Sequence, residues 1–152
     1  MKSKKENIAE YILYLWQIED YLRAFPEQAE TNEELHEIFM MMHEEGIMRS
    51  GHLQLSLNAL DELEELHATF LAEEAPYRAA IIRLQPALNI LKSKTDRPTM
   101  TDLEACFLLL YQIMMLHLQK VEISEETKQT QQQATELLRF LSKAYQEQSN
   151  QL

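Results

Sequence analysis

Glycine and proline are scarce in this chain of 152 residues, with two of the first and four of the second. Together they make up about 4%, against roughly 12% in an average protein. Turn-rich all-β folds, glycine-rich phosphate loops and low-complexity linkers all demand more of both. Cysteine occurs once, at Cys106, so no intramolecular disulfide can form, and its apolar surroundings mark it as a reduced, buried thiol. Positive charge is thin over half the chain. Residues Glu6 to Tyr77 hold 17 acids against two bases, Arg23 and Arg49, while the remainder carries 12 bases and 8 acids, for −11 overall. Binding nucleic acid or an anionic membrane surface requires clustered Lys and Arg. The acidic half would repel such partners and the bases elsewhere are scattered singly, so both are excluded. Long apolar runs are missing as well. The longest, Cys106 to Leu118, is interrupted by Gln112 and His117 and falls short of the roughly 20 residues that span a bilayer. Lys2, Lys4 and Lys5 precede an apolar stretch, but Glu6, Glu10, Glu19 and Asp20 break the unbroken centre that a signal peptide needs. A cytoplasmic location is the expectation.

What is present is a globular composition, 45% apolar and 26% charged. Its length suits one domain, residues 1–152, burying about 68–70% of its unfolded surface. Six helical segments are predicted and no strand pattern competes. The first runs from about Lys5 to Phe25 on a stripe of Ile8, Tyr11, Ile12, Leu15, Ile18 and Leu22, and Pro26 ends it. The second opens at Thr31 with a T-N-E-E capping box, carries Leu35, Ile38, Phe39 and Met42, and stops at Gly46. A tight turn follows, where G-I-M-R-S-G holds both glycines. The third, His52 to about Ala72, presents Leu53, Leu57, Leu60, Leu63, His67 and Leu71. The fourth starts with Pro76, uses Ile81, Leu84, Leu88 and Leu91, and contains Pro86, which should kink or divide it. Lys92 to Pro98 is a loop. A second box, T-D-L-E at Thr101 to Glu104, opens a fifth helix that is apolar nearly all round and therefore central and buried. Ser124 caps a sixth, which turns amphipathic only at Ala134, Leu137, Leu138, Leu141 and Tyr145. The fold class is all-α, a single irregular bundle of about six helices.

The stretches N-I-A-E-Y-I-L-Y-L-W-Q-I-E-D (Asn7 to Asp20), G-H-L-Q (Gly51 to Gln54), L-H-x-x-x-L (Leu66 to Leu71) and L-Q-K-V-E-I-S-E-E-T (Leu118 to Thr127) resemble a bacterial family known as domain of unknown function 4924. The resemblance touches the first, third, fifth and sixth helices. It implies a small, helical, cytoplasmic protein and carries no assigned activity, catalytic residue or cofactor.

Polar groups that interrupt apolar stripes are the informative features, because an unpaired buried charge is costly. Glu19 projects between Ile12, Leu15 and Leu22. Its structural role would be to pair with Arg23 one turn on, with a capping amide, or with a histidine from another helix; its functional role would be a metal ligand or general acid–base. Glu64 and His67 form an E-x-x-H pair on the third helix, and Glu33 and His36 another on the second, the spacing used in di-iron bundles. About 0.7 such pairs arise by chance at this composition, and Glu33 and His36 lie off their helix's stripe. The E-E-L-H-E run at Glu33 to Glu37 matches half of a magnesium-dependent pyrophosphohydrolase pattern. None of the four aspartates supplies the E-x-x-D half, so the run reads as a solvated acidic face. His36 and His43 lie about 10.5 Å apart along their helix and cannot share an ion unaided. His52 and Gln54 sit at a helix entry whose amides could hold an anion. His117 is expected as a satisfied core histidine, and Met40 to Met42 with Met48 as core filling or an adaptable contact surface.

No G-x-S-x-G elbow, Walker loop, C-x-x-C pair or H-E-x-x-H occurs. The favoured expectation is a non-enzymatic binding module without cofactor, acting on a protein partner or by self-association, of which a homodimer is one form. More apolar helical surface is available than six short helices usually bury. The competing expectation is a metal-dependent hydrolase or metal-binding bundle using Glu19, Glu64 and His67. Glu19, Arg23, His52, Gln54 and His67 are the candidate polar or anion-binding positions.

Overall fold

The computed structural model describes residues 3–97 and 99–151. Six α-helices, one short 3-10 helix and no strand occur among them. In order they are α1 (Ile8–Ala24), the 3-10 helix (Pro26–Glu30), α2 (Glu33–Glu45), α3 (Gln54–Glu73), α4 (Ala75–Ser93), α5 (Asp102–Leu118) and α6 (Glu125–Asn150). The fold is all-α, with the six anticipated helices in sequence. Lys2 and Pro98 lie outside the described residues. The helices group into two compact units, Met1–Glu62 and Leu63–Leu152, so α3 lends its first half to one and its second to the other.

In the first unit α1, the 3-10 helix and α2 pack pairwise around Leu15, Leu22, Ala29, Leu35, Ile38, Met42 and Leu53. Asn7 caps α1, its side-chain oxygen accepting from the Glu10 amide at 3.1 Å. Pro26 cannot prolong α1 and instead starts the tighter 3-10 turn. That turn shifts the start of α2 by one residue. The Thr31 hydroxyl donates back to the Gln28 carbonyl at 2.7 Å, and Asn32 takes over as cap, accepting from the Leu35 amide at 2.8 Å. Gly46 closes α2 in the left-handed region at φ +69°. The methionines are largely core filling: Met42 is buried, Met41 and Met48 pack against the core, and Met40 is exposed.

In the second unit α4, α5 and α6 pack against one another. Tyr77, Ile81, Leu84, Leu88 and Leu91 of α4 are buried, as are Leu103, Cys106, Phe107, Tyr111 and Ile113 of α5 and Ala134, Leu137, Leu138 and Leu141 of α6. Thr101 caps α5 by accepting from the Glu104 amide at 3.1 Å, but the Glu104 carboxylate takes Arg97 (2.6 and 3.2 Å). Ser124 caps α6 through the Thr127 amide. Pro86 does not divide α4. It and Ile82, whose carbonyl loses its donor, both lie on the exposed side, where water can serve that oxygen.

Two stripe assignments need correcting. Leu57 of α3 is 37% exposed, while Ser56 and Ala59 are buried, so the covered face is rotated by about one residue. Ser56 loses no hydrogen bond there, because its hydroxyl donates to the Leu53 carbonyl at 2.9 Å. His117 is exposed, not a core histidine, because the buried residues of α5 run only from Leu103 to Ile113 and its end emerges with Leu116 and Leu118.

The shifted cap is testable. Asn32→Ala should cost about 1 kcal/mol, measured as a lower urea midpoint, and Thr31→Ala clearly less. The reverse ranking would restore Thr31 as the cap.

Candidate functional site

Glu19 is 0% exposed, in the middle of the buried face of α1. Both of its oxygens are engaged. Oε1 accepts from His52 Nδ1 at 2.7 Å and Oε2 from the Leu53 amide at 2.9 Å. A carboxylate can only accept, so the hydrogen sits on Nδ1. The His52 ring lies flat on Trp16, with centroids 4.4 Å apart and planes 13° from parallel. Of the three partners considered for Glu19, the histidine and the amide are the ones used.

Arg23 serves the opposite polarity of the same connector. Its Nε and Nη2 donate to the Ile47 carbonyl (3.2 and 2.9 Å), Nη2 also to the Gly51 carbonyl (2.5 Å), and Nη1 to Asp20 (3.1 Å). One turn of α1 thus presents an acceptor and a donor that take the amide and the carbonyls of the segment leading into α3. Gly51 permits the path, standing at φ +97°, where an L side chain is strained.

The entry to α3 was a candidate anion site, and the anions there are the chain's own. Besides Glu19 on the Leu53 amide, the Glu45 carboxylate accepts from the Gln54 amide at 2.7 Å. The Gln54 side chain donates to Asn58 at 2.8 Å. Free amides and the positive end of the helix dipole make such a terminus attract negative charge, and α1 and α2 supply it. Sequence reasoning missed Glu45; two acids before a Gly-bounded turn were the available signal.

In the second unit His67 Nδ1 shares a 2.6 Å hydrogen bond with the Tyr77 hydroxyl. Burial pushes the His67 pKa down, with the Asp102 charge opposing. Burial pushes Tyr77 up, helped by Cys106 and Glu64. The pair is therefore neutral around pH 7. Burial by itself would raise Asp102, but hydrogen bonds from Lys92 and Gln85 and the Lys92 charge hold it below the usual range. Cys106 is buried, and desolvation lifts its thiol to about 12. Such a thiol is not a nucleophile at neutral pH.

Glu19 is thus committed to His52 and Leu53, and His67 to Tyr77. Glu64 is felt by Tyr77 and Cys106 as a charge. Glu33, His36 and His43 are exposed on α2, His43 with its ring edge against Phe39. Among the described residues no three His, Cys, Asp or Glu side chains stand where they could hold one metal ion, and no helix is long and apolar enough to cross a membrane.

These features define an all-α protein whose internal polar groups are spent on joining helices. The chain belongs to the family described as Domain of unknown function (DUF4924), whose model matches residues 1–34 and 26–151. No curated protein and no solved structure matches it.

Two measurements check these assignments. Glu19→Leu, which leaves the His52 and Leu53 donors without an acceptor, should lower unfolding free energy by about 3 kcal/mol. Glu19→Gln, which keeps one acceptor, should lie between it and the parent. His67 should make stability fall on acidification. Below its unfolded pKa of about 6.5 the unfolded chain takes up a proton that the folded chain refuses, so unfolding is favoured as pH drops. The wild-type protein should then lose up to about 1.4 kcal/mol per pH unit more than His67→Gln between pH 6.5 and 5. Identical pH profiles would remove His67 from the account.

Proposed function

We propose that this chain is a non-enzymatic binding module that works by pairing with a second copy of itself through the second unit. A single observation carries the reading. The first half of α6 is too polar to cover the neighbouring parts of α4 and α5. The gap is a groove of about 480 Å³ lined by Ala87, Ile90, Leu91, Leu109, Ile113 and Leu116, beside Glu126, Thr127 and Thr130. Ile90 is 58% exposed and, just past the groove, Leu118 is 60% exposed. Contiguous exposed apolar surface rimmed by polar groups marks an interaction site.

Self-pairing is favoured by the rims. Lys94, at the C-terminal cap of α4, lines one side and Glu126 of α6 the other. In a two-fold interface whose axis runs along the groove each rim meets the opposite rim of the partner, so such a patch is complementary to itself. The lone, buried thiol at Cys106 fits a reducing, cytoplasmic setting.

Sedimentation equilibrium between about 1 and 100 μM tests the reading, the range in which a modest interface associates. The expected result is a reversible dimer that Ile90→Lys converts to monomer without altering the helical circular dichroism. A strict monomer at the highest concentration, or a dimer indifferent to Ile90→Lys, would overturn it.

A further inference from the structure

A second hollow in the same unit has a different chemistry. It lies between the start of α4 and the middle of α6 and measures about 300 Å³, the lower end of the range for small-molecule sites. Its apolar wall is made by Tyr77, Ala80, Leu137 and Phe140. The Tyr77 and Phe140 rings stand 5.9 Å apart at 36°, and Phe140, although backed by Phe70 at 5.0 Å, remains 47% exposed. Because the Tyr77 hydroxyl is already bonded to His67, the Tyr77 ring offers the hollow apolar surface.

Three charged side chains line the same space: Glu74, Arg83 and Glu136. Three acid–base pairs form elsewhere in this unit, Lys92–Asp102, Arg97–Glu104 and Lys128–Glu125. The three exposed charged residues at the hollow form none with one another. Among the described residues neither the Arg83 guanidinium nor the Glu74 carboxylate has a hydrogen-bonding or ionic partner, and Glu136 accepts only from the Gln132 amide at 3.2 Å. Arg78, one turn after Glu74, is already spent on the Leu71 and Ala72 carbonyls. The hollow therefore holds opposite charges apart around an aromatic floor. A ligand that completes it carries an ammonium for the carboxylates, a carboxylate for the arginine fork and an apolar body for the rings.

We propose that this hollow binds a free α-amino acid with a large aromatic or branched side chain. An apolar side chain inserted from a protein partner would satisfy the rings but leave all three charges as they are. A simple organic cation would leave Arg83 unused. This site does not depend on self-pairing: Arg83 reaches the edge of the groove described above, but the rings and carboxylates belong to the small hollow alone.

The test is a titration of the isotope-labelled full chain with free phenylalanine, followed by amide chemical shifts. Saturable shifts confined to residues 74–83 and 133–140 are expected, with a Kd at or below about 1 mM. Phenethylamine, lacking the carboxylate, and 3-phenylpropionate, lacking the ammonium, should each bind at least about tenfold more weakly. Arg83→Met should weaken phenylalanine by a similar factor and leave phenethylamine unchanged. Ala80→Trp, which fills the hollow from a half-buried helix position, should abolish all three. Unchanged melting temperature and circular dichroism of Arg83→Met separate lost binding from lost folding. Absence of saturable shifts at 10 mM phenylalanine, equal binding of phenethylamine, or indifference to Arg83→Met would each overturn the proposal.

Discussion

A carboxylate removed from water must find donors inside the protein, and Glu19 finds two within the residues that lead into α3. The rest of the first unit follows from that requirement. The connector between α2 and α3 has to bend back far enough for His52 and the Leu53 amide to reach α1. That path needs Gly46 and Gly51 at positive φ. Arg23, one turn along, then satisfies the carbonyls that the bend turns inward. Trp16 completes the seat by stacking on the imidazole. A leucine at position 19 would bury as well but would specify nothing. The glutamate selects one register of connector on helix, the attested use of buried polar groups.

Much of this architecture is legible in the residues. Helical periodicity places all six helices, and Thr101, Ser124 and Gly46 announce their own caps because each acts on its immediate neighbours. Features decided by longer-range competition are not legible. Thr31 has the right pattern to cap α2, yet the preceding 3-10 turn claims its hydroxyl. Leu57 and Ser56 are both one turn from Leu53, and hydrophobicity alone selects the wrong one. At Glu19 the need for a partner is readable from its place on the stripe. Which partner it takes depends on where a connector 33 and 34 residues away returns. The hollow beside Tyr77 was invisible for the same reason: α4 and α6 bring its charges together across more than fifty residues, with no local motif.

The two units use polar groups differently. In the first, ions cross between helices and are consumed in holding them. In the second, desolvation keeps His67, Tyr77 and Cys106 uncharged, Lys92 pairs with Asp102 between α4 and α5, and other charged residues edge the open groove and hollow. The acidity of the chain is thus partly structural, since Glu19 and Glu45 neutralise the start of α3.

The condition of Cys106 has a practical side. A sulfhydryl both enclosed and held almost wholly in its SH form at physiological pH escapes maleimides and iodoacetamide while the fold persists. The chain therefore needs no cysteine-free background. A thiol introduced anywhere on its surface becomes the one handle for a spin label or fluorophore, and distances within either unit can be followed with the native residue left in place.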